Sequence, residues 1–218
     1  MQRVFIVGSA GKVGLRLVKQ LSVAGHIVKG LYRHDNQFEL LNLSGAIPVK
    51  GCLAELSVEQ LADKMTENDV VIFTAGAGGA GIELTNAIDG NGLELAVNAA
   101  KISGIKRFIL VSVFPEAARN RNMSKGFENY ISVKKRADAY LVSTDLDWLI
   151  LRPGTLTDEK GSGKISADLA ITYGSVTRDD VAATLVSLVN KPDMNHKIIE
   201  LTQGEIPIDQ ALSKLAKQ

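Results

Sequence analysis

The chain leaves its first apolar run through Gly8-Ser9-Ala10-Gly11-Lys12-Val13-Gly14, and this turn constrains the fold more tightly than any other stretch. A G-x-x-G-x-x-G placed directly after a strand-like RVFIV and directly before a helical period serves three ends. Gly8 permits a tight turn, Gly11 lets a pyrophosphate approach the backbone, and Gly14 lets the next helix pack closely on the strand. The first turn of that helix offers unpaired N–H groups and a partial positive charge, both suited to an anion. An ordinary glycine-rich turn would have the same spacing. Its position at the first strand–helix junction, with a second strand about 20 residues on, points instead to a dinucleotide site. That site would be built on Gly8, Ala10, Gly11, Lys12, Val13 and Gly14.

Further short β-branched runs follow at residues 26–33, 46–51, 69–76, 107–113, 147–154 and 197–201. Several are almost continuously apolar, as strands covered on both faces are. Between them, residues 13–24, 57–66, 86–104, 129–143, 178–190 and 209–217 carry helical spacing, and Gly25 stands where a helix would end. Repeated strand–helix alternation predicts parallel βαβ units and an α/β, doubly wound, mainly parallel Rossmann sheet with helices on both faces. About seven strands are expected, in the order 3-2-1-4-5-6-7. No repeat or linker divides the chain, so residues 1–218 are expected to form a single domain. Two stretches lack periodicity. Residues 76–81 are glycine-rich and suit either a flap over a cofactor or a loop tolerant of positive φ. Residues 158–175 contain Gly161, Gly163 and Gly174 and are expected to form a minimal substrate-side lid.

Charge and cysteine usage narrow the function classes. With 25 Lys plus Arg against 24 Asp plus Glu, the net charge is +1, and nothing favours nucleic acid or an acidic membrane as partner. The single cysteine, Cys52, cannot form an internal disulfide or a cysteine-rich zinc site, which fits a reducing compartment. His26, His34 and His196 are scattered without metal-ligand spacing, so no metal is expected. No signal-peptide pattern is seen, and no apolar run approaches the roughly 18 residues a membrane span needs. A cytoplasmic protein is expected.

The end of the second strand bears on cofactor choice. An NAD-specific site places Asp or Glu there to accept hydrogen bonds from the ribose hydroxyls. Here the sequence reads Tyr32-Arg33-His34, with Asp35 two residues past the arginine. A guanidinium suits a 2′-phosphate, and Lys12 could add a second cation. NADP(H) is therefore favoured over NAD(H). The alternatives are that Arg33 and Lys12 only solvate element ends, or that a longer strand brings Asp35 to the ribose.

Tyr130 and Lys134 form a Y-x-x-x-K within a helical segment, so both lie on one helix face. Together with VFIVGSAGKVG, Ala75-Gly76, DGNGLELAVNAAKISGIKRFILVS, YISVKKRAD, LDWLILRPG, SVTRDDVAATL and IIELTQGEIPIDQAL, this pair resembles the short-chain dehydrogenase/reductase superfamily across nearly the whole chain. The likeness is to its atypical members, those resembling NAD-dependent epimerase/dehydratases and NAD(P)H-binding, nitrogen-regulator-like proteins. The resemblance implies that Tyr130 serves as catalytic acid or base. It also implies that Lys134 holds the nicotinamide ribose and lowers the phenol's pKa, and that Ser112 orients the substrate oxygen. The family's Ser-Ser pair is Ser112-Val113 here, which leaves a displaced orienting hydroxyl open, and the alternative for Tyr130 is a packed, half-buried aromatic. The resemblance further implies cofactor contacts at Cys52 and Leu53, where Gly51-Cys52-Leu53 replaces the family's G-D-L. Others are implied at Ala75, Gly76, Pro153 and Gly154. Cys52 is read as a small buried apolar residue, and Arg152 as either an anion clamp or the buried partner of Asp179 or Asp180. The cationic run at residues 119–125 is read as a solvated loop that could border the site.

Three functions remain open. The first is an NADPH-dependent reductase of a small carbonyl or quinone-like acceptor. The second is a non-catalytic NADP(H)-sensing regulator with a protein partner, and the third a nucleotide-sugar epimerase or dehydratase. The third would want about 100 residues for a sugar-binding domain beyond the nucleotide core. The substrate is expected to be a small molecule or absent, and the protein a monomer or homodimer.

Overall fold

Apolar strands need cover on both faces, and the chain supplies it in two layers of helices. The computed structural model describes residues 1–116 and 123–216. Its strands are β1 (Arg3–Val7), β2 (Ile27–Tyr32), β3 (Ile47–Lys50), β4 (Val70–Phe73), β5 (Arg107–Val111), β6 (Asp147–Pro153), β7 (Thr155–Thr157), β8 (Lys164–Asp168), β9 (Ser175–Thr177), β10 (Lys197–Gln203) and β11 (Ile206–Pro207). The main helices are α1 (Lys12–Val23), α2 (Phe38–Leu43), α3 (Val58–Met65), α4 (Ile82–Thr85), α5 (Gly92–Ile102), α6 (Lys125–Val142), α7 (Arg178–Val189) and α8 (Ile208–Leu215).

Among the described residues the large sheet has nine strands in the order β11-β8-β10-β6-β5-β4-β1-β2-β3. Its seven parallel strands, β3-β2-β1-β4-β5-β6-β10, follow the expected doubly wound order. The expectation of a seven-stranded sheet is corrected at one edge. There β8 pairs antiparallel with both β10 and β11, and β7 and β9 form a separate parallel pair. The stretch 158–175 is therefore partly strand. A five-residue strand that buries little beyond Ile165 leaves too short a pattern for periodicity to reveal.

Side-chain alternation along β1 divides the core. Val4 and Ile6 join α1, α7 and α8 through Leu17, Leu21, Leu185 and Leu212, while Phe5 and Val7 join α3, α5 and α6 through Leu61, Leu93 and Leu141. Each such leucine, fully buried, contributes about 1.5–3 kcal/mol before entropy is counted.

Three helix boundaries differ from the periodicity. The helical run before β5 starts at Ile82 and passes through a π-turn, Asn86–Asn91, before α5. Helix α6 starts at Lys125, with the Ser124 side chain accepting from the Phe127 N–H. The short α2 shows mostly exposed faces at Phe38, Leu40 and Leu43, so no apolar stripe announces it. No helix among the described residues is long and apolar enough to cross a membrane. No group of three or more metal-ligating side chains occurs among them either.

Candidate active site

The turn after β1 is clamped from both neighbouring strands. Ser9, fully buried, donates from Oγ to the Leu31 carbonyl at 2.7 Å. Thr74 Oγ1 donates to the Val7 and Gly8 carbonyls at 3.1 and 3.2 Å. Gly8 adopts φ +88°, and a Cβ there would stand 2.5 Å from the Ala75 amide nitrogen. Only glycine meets both conditions. Gly14 backs onto the Gly8 carbonyl, so helix and strand touch closely, behind the turn. The first turn of α1 contains no acid, and Gly11 places no side chain over its N–H groups. The Lys12 and Val13 amides therefore face open space with the helix dipole behind them, an arrangement that fits a diphosphate.

From this turn a cleft of about 860 Å³ crosses the carboxyl ends of the parallel strands. Of the residues expected at a cofactor, Gly8, Ala10, Gly11, Lys12, Val13, Arg33, Cys52, Leu53, Ala75, Gly76, Lys134 and Pro153 line it. Gly14 and Gly154 lie outside the lining. Gly14 serves helix packing, and Gly154 lies against the Gly174 carbonyl, where any Cβ would collide. Cys52 is corrected from a buried apolar position to a partly exposed one on the cleft wall.

Arg33 is exposed at the end of β2 and lines the cleft. Its backbone N–H donates to Gln37 Oε1 at 3.1 Å. Strand β2 ends at Tyr32, and Asp35 turns away into a 2.6 Å ion pair with Lys50, outside the lining. The reading that brings Asp35 to a ribose therefore has no geometric support.

Helix α6 presents Tyr130, Lys134 and Asp138 one turn apart, and the first two line the cleft. Lys134 is buried, and its Nζ donates to the Val111 carbonyl at 3.0 Å. The same nitrogen lies 3.8 Å from Asp89 Oδ1, and Asp89 Oδ2 accepts from the Ala77 N–H at 2.9 Å. Burial pushes the Asp89 carboxyl up, an effect opposed by Lys134 and the Ala77 N–H. Burial likewise pushes the Lys134 ammonium down, opposed by Asp89 and Asp138. The Tyr130 phenol is pushed up well beyond its ordinary value, first by burial and then by the negative charges of Asp89 and Asp138. The Lys134 ammonium itself is committed to Val111 and Asp89. Next to Val111, Ser112 lines the cleft with its Oγ buried and without a hydrogen-bond partner.

Arg152 lies outside the lining and pairs with neither Asp179 nor Asp180, a second correction. Its Nε and Nη2 donate to Asp138 Oδ2 at 3.0 and 2.8 Å. Asp179 binds Arg16 instead, and Asp180 accepts from the Ser162 and Gly163 N–H groups and the Thr177 hydroxyl. The cationic run at residues 119–125 lies largely outside the described residues, with Lys125 opening α6. Sequence reasoning missed Asp89, Thr74 and Arg178 in the lining. For Asp89 the sequence offered no signal, since the same stretch also carries Glu83 and Glu94.

A phosphate-cradling turn at the point where strand order reverses, opening into one cleft, defines a Rossmann-type dinucleotide-binding protein. The chain belongs to the NAD(P)H-binding family, whose family model matches residues 8–192. It is 36% identical over 215 residues to YhfK of Bacillus subtilis (strain 168), an uncharacterized sugar epimerase by name, covering 98% of this chain and 100% of that one. A solved structure from Bacillus halodurans, named as a candidate NAD-dependent epimerase/dehydratase, superposes with TM-score 0.90 at 31% identity, over 99% of this chain and all of that one. The oxidoreductase ylbE from Lactococcus lactis superposes with TM-score 0.87 at 30% identity, over 99% and 97% of the two chains.

Proposed function

We propose that the protein is an NADPH-dependent reductase of a small carbonyl or quinone-like acceptor. The observation that carries this reading is the orphaned, buried Ser112 Oγ, which shares one cleft with Tyr130 and Lys134. A buried hydroxyl without a partner costs about 1–3 kcal/mol, and an acceptor oxygen in the cleft would recover it. The bound dihydronicotinamide would supply the hydride. Ser112 orients the acceptor oxygen, Tyr130 donates the proton to it, and Lys134 holds the ribose. Tyr130 is then reprotonated from solvent.

The elevated phenol bears on the pH profile. A group with a raised pKa stays protonated through neutral and mildly alkaline pH, so it serves as an acid and is a poor base. Reduction should therefore show no alkaline limb from Tyr130 up to its ordinary range, about pH 10. A falling limb centred near pH 7 to 8 in the reduction profile would contradict this assignment.

Ser112→Ala separates function from structure. Removing an unpaired buried hydroxyl should leave stability unchanged or raise it by up to about 1 kcal/mol, while turnover falls. Thermal melts alongside NADPH oxidation rates check this, and a destabilised, fully active variant would refute it. Cofactor choice rests on Arg33. Arg33→Ala should weaken NADPH by roughly 10- to 100-fold, the value of a charge-assisted contact, and NADH by less than about threefold. Fluorescence titrations with both cofactors measure it, and equal losses would overturn NADP preference. The reading as a whole is tested by mixing enzyme and NADPH with a panel of carbonyls, quinones and flavins and following dihydronicotinamide absorbance.

A second reading, a non-catalytic NADP(H)-sensing regulator, is favoured by one observation. Lys134 spends its charge on Val111 and Asp89 rather than on the Tyr130 phenol.

A further inference from the structure

One carboxylate beside the phosphate turn is held by three cations. Asp158, the first residue after β7, accepts from Lys12 Nζ at 2.8 Å on Oδ2. Its Oδ1 lies 3.0 Å from Arg178 Nη1 and 3.4 Å from Arg16 Nη2. Lys12 opens α1 and Arg178 opens α7, and both line the cleft, whereas Asp158 does not. Arg16 is otherwise committed, with Nε on Asp179 at 2.8 Å and Nη1 on the Lys12 carbonyl at 2.8 Å. Lys12 and Arg178 thus grip opposite oxygens of one carboxylate, the separation at which two cations also grip neighbouring phosphate oxygens. The five side chains Lys12, Arg16, Arg178, Asp158 and Asp179 carry three positive and two negative charges, so an anion is still favoured there.

We infer that Arg178, together with Lys12, is a ligand of the dinucleotide's diphosphate, and that Asp158 is the internal counter-ion that yields both cations as the cofactor enters. The inference rests on the family's dinucleotide binding and not on the reductase reading. Lys12 and Asp158 keep 68% and 48% of their side-chain surface exposed, so their pairing is weak and easily exchanged. A diphosphate at the Gly11–Val13 amides brings two negative charges to the same cations, with the α1 dipole behind it. Because Asp158 begins the 158–175 stretch, its release ties cofactor entry to the start of the segment that follows β7. The three cations hold the Asp158 carboxyl below the usual carboxylate range, the Lys12 hydrogen bond foremost, as expected of a group that stands where an anion is wanted.

Calorimetric titration with NADPH, and with inorganic pyrophosphate as the bare diphosphate probe, tests this on the wild type and two variants. Asp158→Asn should bind both about three- to fivefold more tightly at low salt, with the gain fading as salt screens the charges. Arg178→Ala should bind both roughly tenfold more weakly. Asp158→Asn binding equally or more weakly, or Arg178→Ala binding like wild type, overturns the inference. NMR titration of the wild-type Asp158 carboxyl gives an independent measurement that needs no variant. Its pKa should rise when NADPH is added, and an unchanged value overturns the exchange of partners. Absence of NADPH oxidation with every acceptor would sink the reductase reading while leaving these binding results to stand or fall alone.

Discussion

Tyr130→Phe should lower NADPH-dependent turnover by about 10²- to 10⁴-fold, the usual contribution of a positioned general acid, while leaving NADPH affinity within about twofold. The split follows from where the phenol lies. Tyr130 is half-buried on α6 and, among the described residues, its hydroxyl makes no hydrogen bond, whereas the ring packs in a small apolar cluster with Phe127, Phe114 and Ile131. Phenylalanine keeps that packing and removes only the hydroxyl. Steady-state kinetics with a fluorescence titration of NADPH measure both halves. Full activity in the variant would remove Tyr130 from the mechanism, and lost affinity would make it a binding residue instead.

Arg152→Ala should destabilise the fold by about 3–5 kcal/mol, the cost of leaving a buried charge without its partner. For a chain of this size that corresponds to a melting temperature lower by roughly 10 °C. The Asp138 side chain is 7% exposed, its Oδ2 depends on two bonds from Arg152, and its Oδ1 is buried without a partner. Removing the guanidinium strands the carboxylate. The double variant Asp138→Leu/Arg152→Ala should recover much of the loss, because no lone charge remains. A single variant within about 1 kcal/mol of wild type would show that water reaches Asp138 freely. Asp138 also helps to raise the Tyr130 phenol, which lies two helical turns earlier on α6 with Lys134 between them.

What could be read from sequence was local. Gly8, Gly11 and Gly14 encode their turn within seven residues, and the structure places Gly8 at positive φ with Gly14 packed behind it. The parallel strand order followed from repeated apolar runs, each long enough to show its period. Tyr130 and Lys134 share a face because helical spacing requires it. What escaped notice depends on contacts distant in sequence. Asp89 meets Lys134 only because the π-turn and α6 pack together, and Asp158 meets Lys12 across 146 positions. Arg152 finds Asp138, a partner one helix earlier, where the sequence offered Asp179 or Asp180. The phenol's elevation is of the same kind, since it comes from burial and from two carboxylates, Asp89 and Asp138. Strand β8 was hidden by its brevity and by having only Ile165 fully buried.

The central claim is that hydride passes from NADPH to an acceptor held between Ser112 and Tyr130. The most direct test uses NADPH deuterated at the nicotinamide C4, with mass spectrometry of the acceptor products. With a carbonyl acceptor, a reductase of the proposed kind carries one deuterium from cofactor to product carbon, and Tyr130→Phe loses that transfer while still binding NADPH. Tight NADPH binding with no label in any carbonyl product, and no NADPH oxidation with any quinone or flavin, whose O–D or N–D would exchange with water, would contradict it.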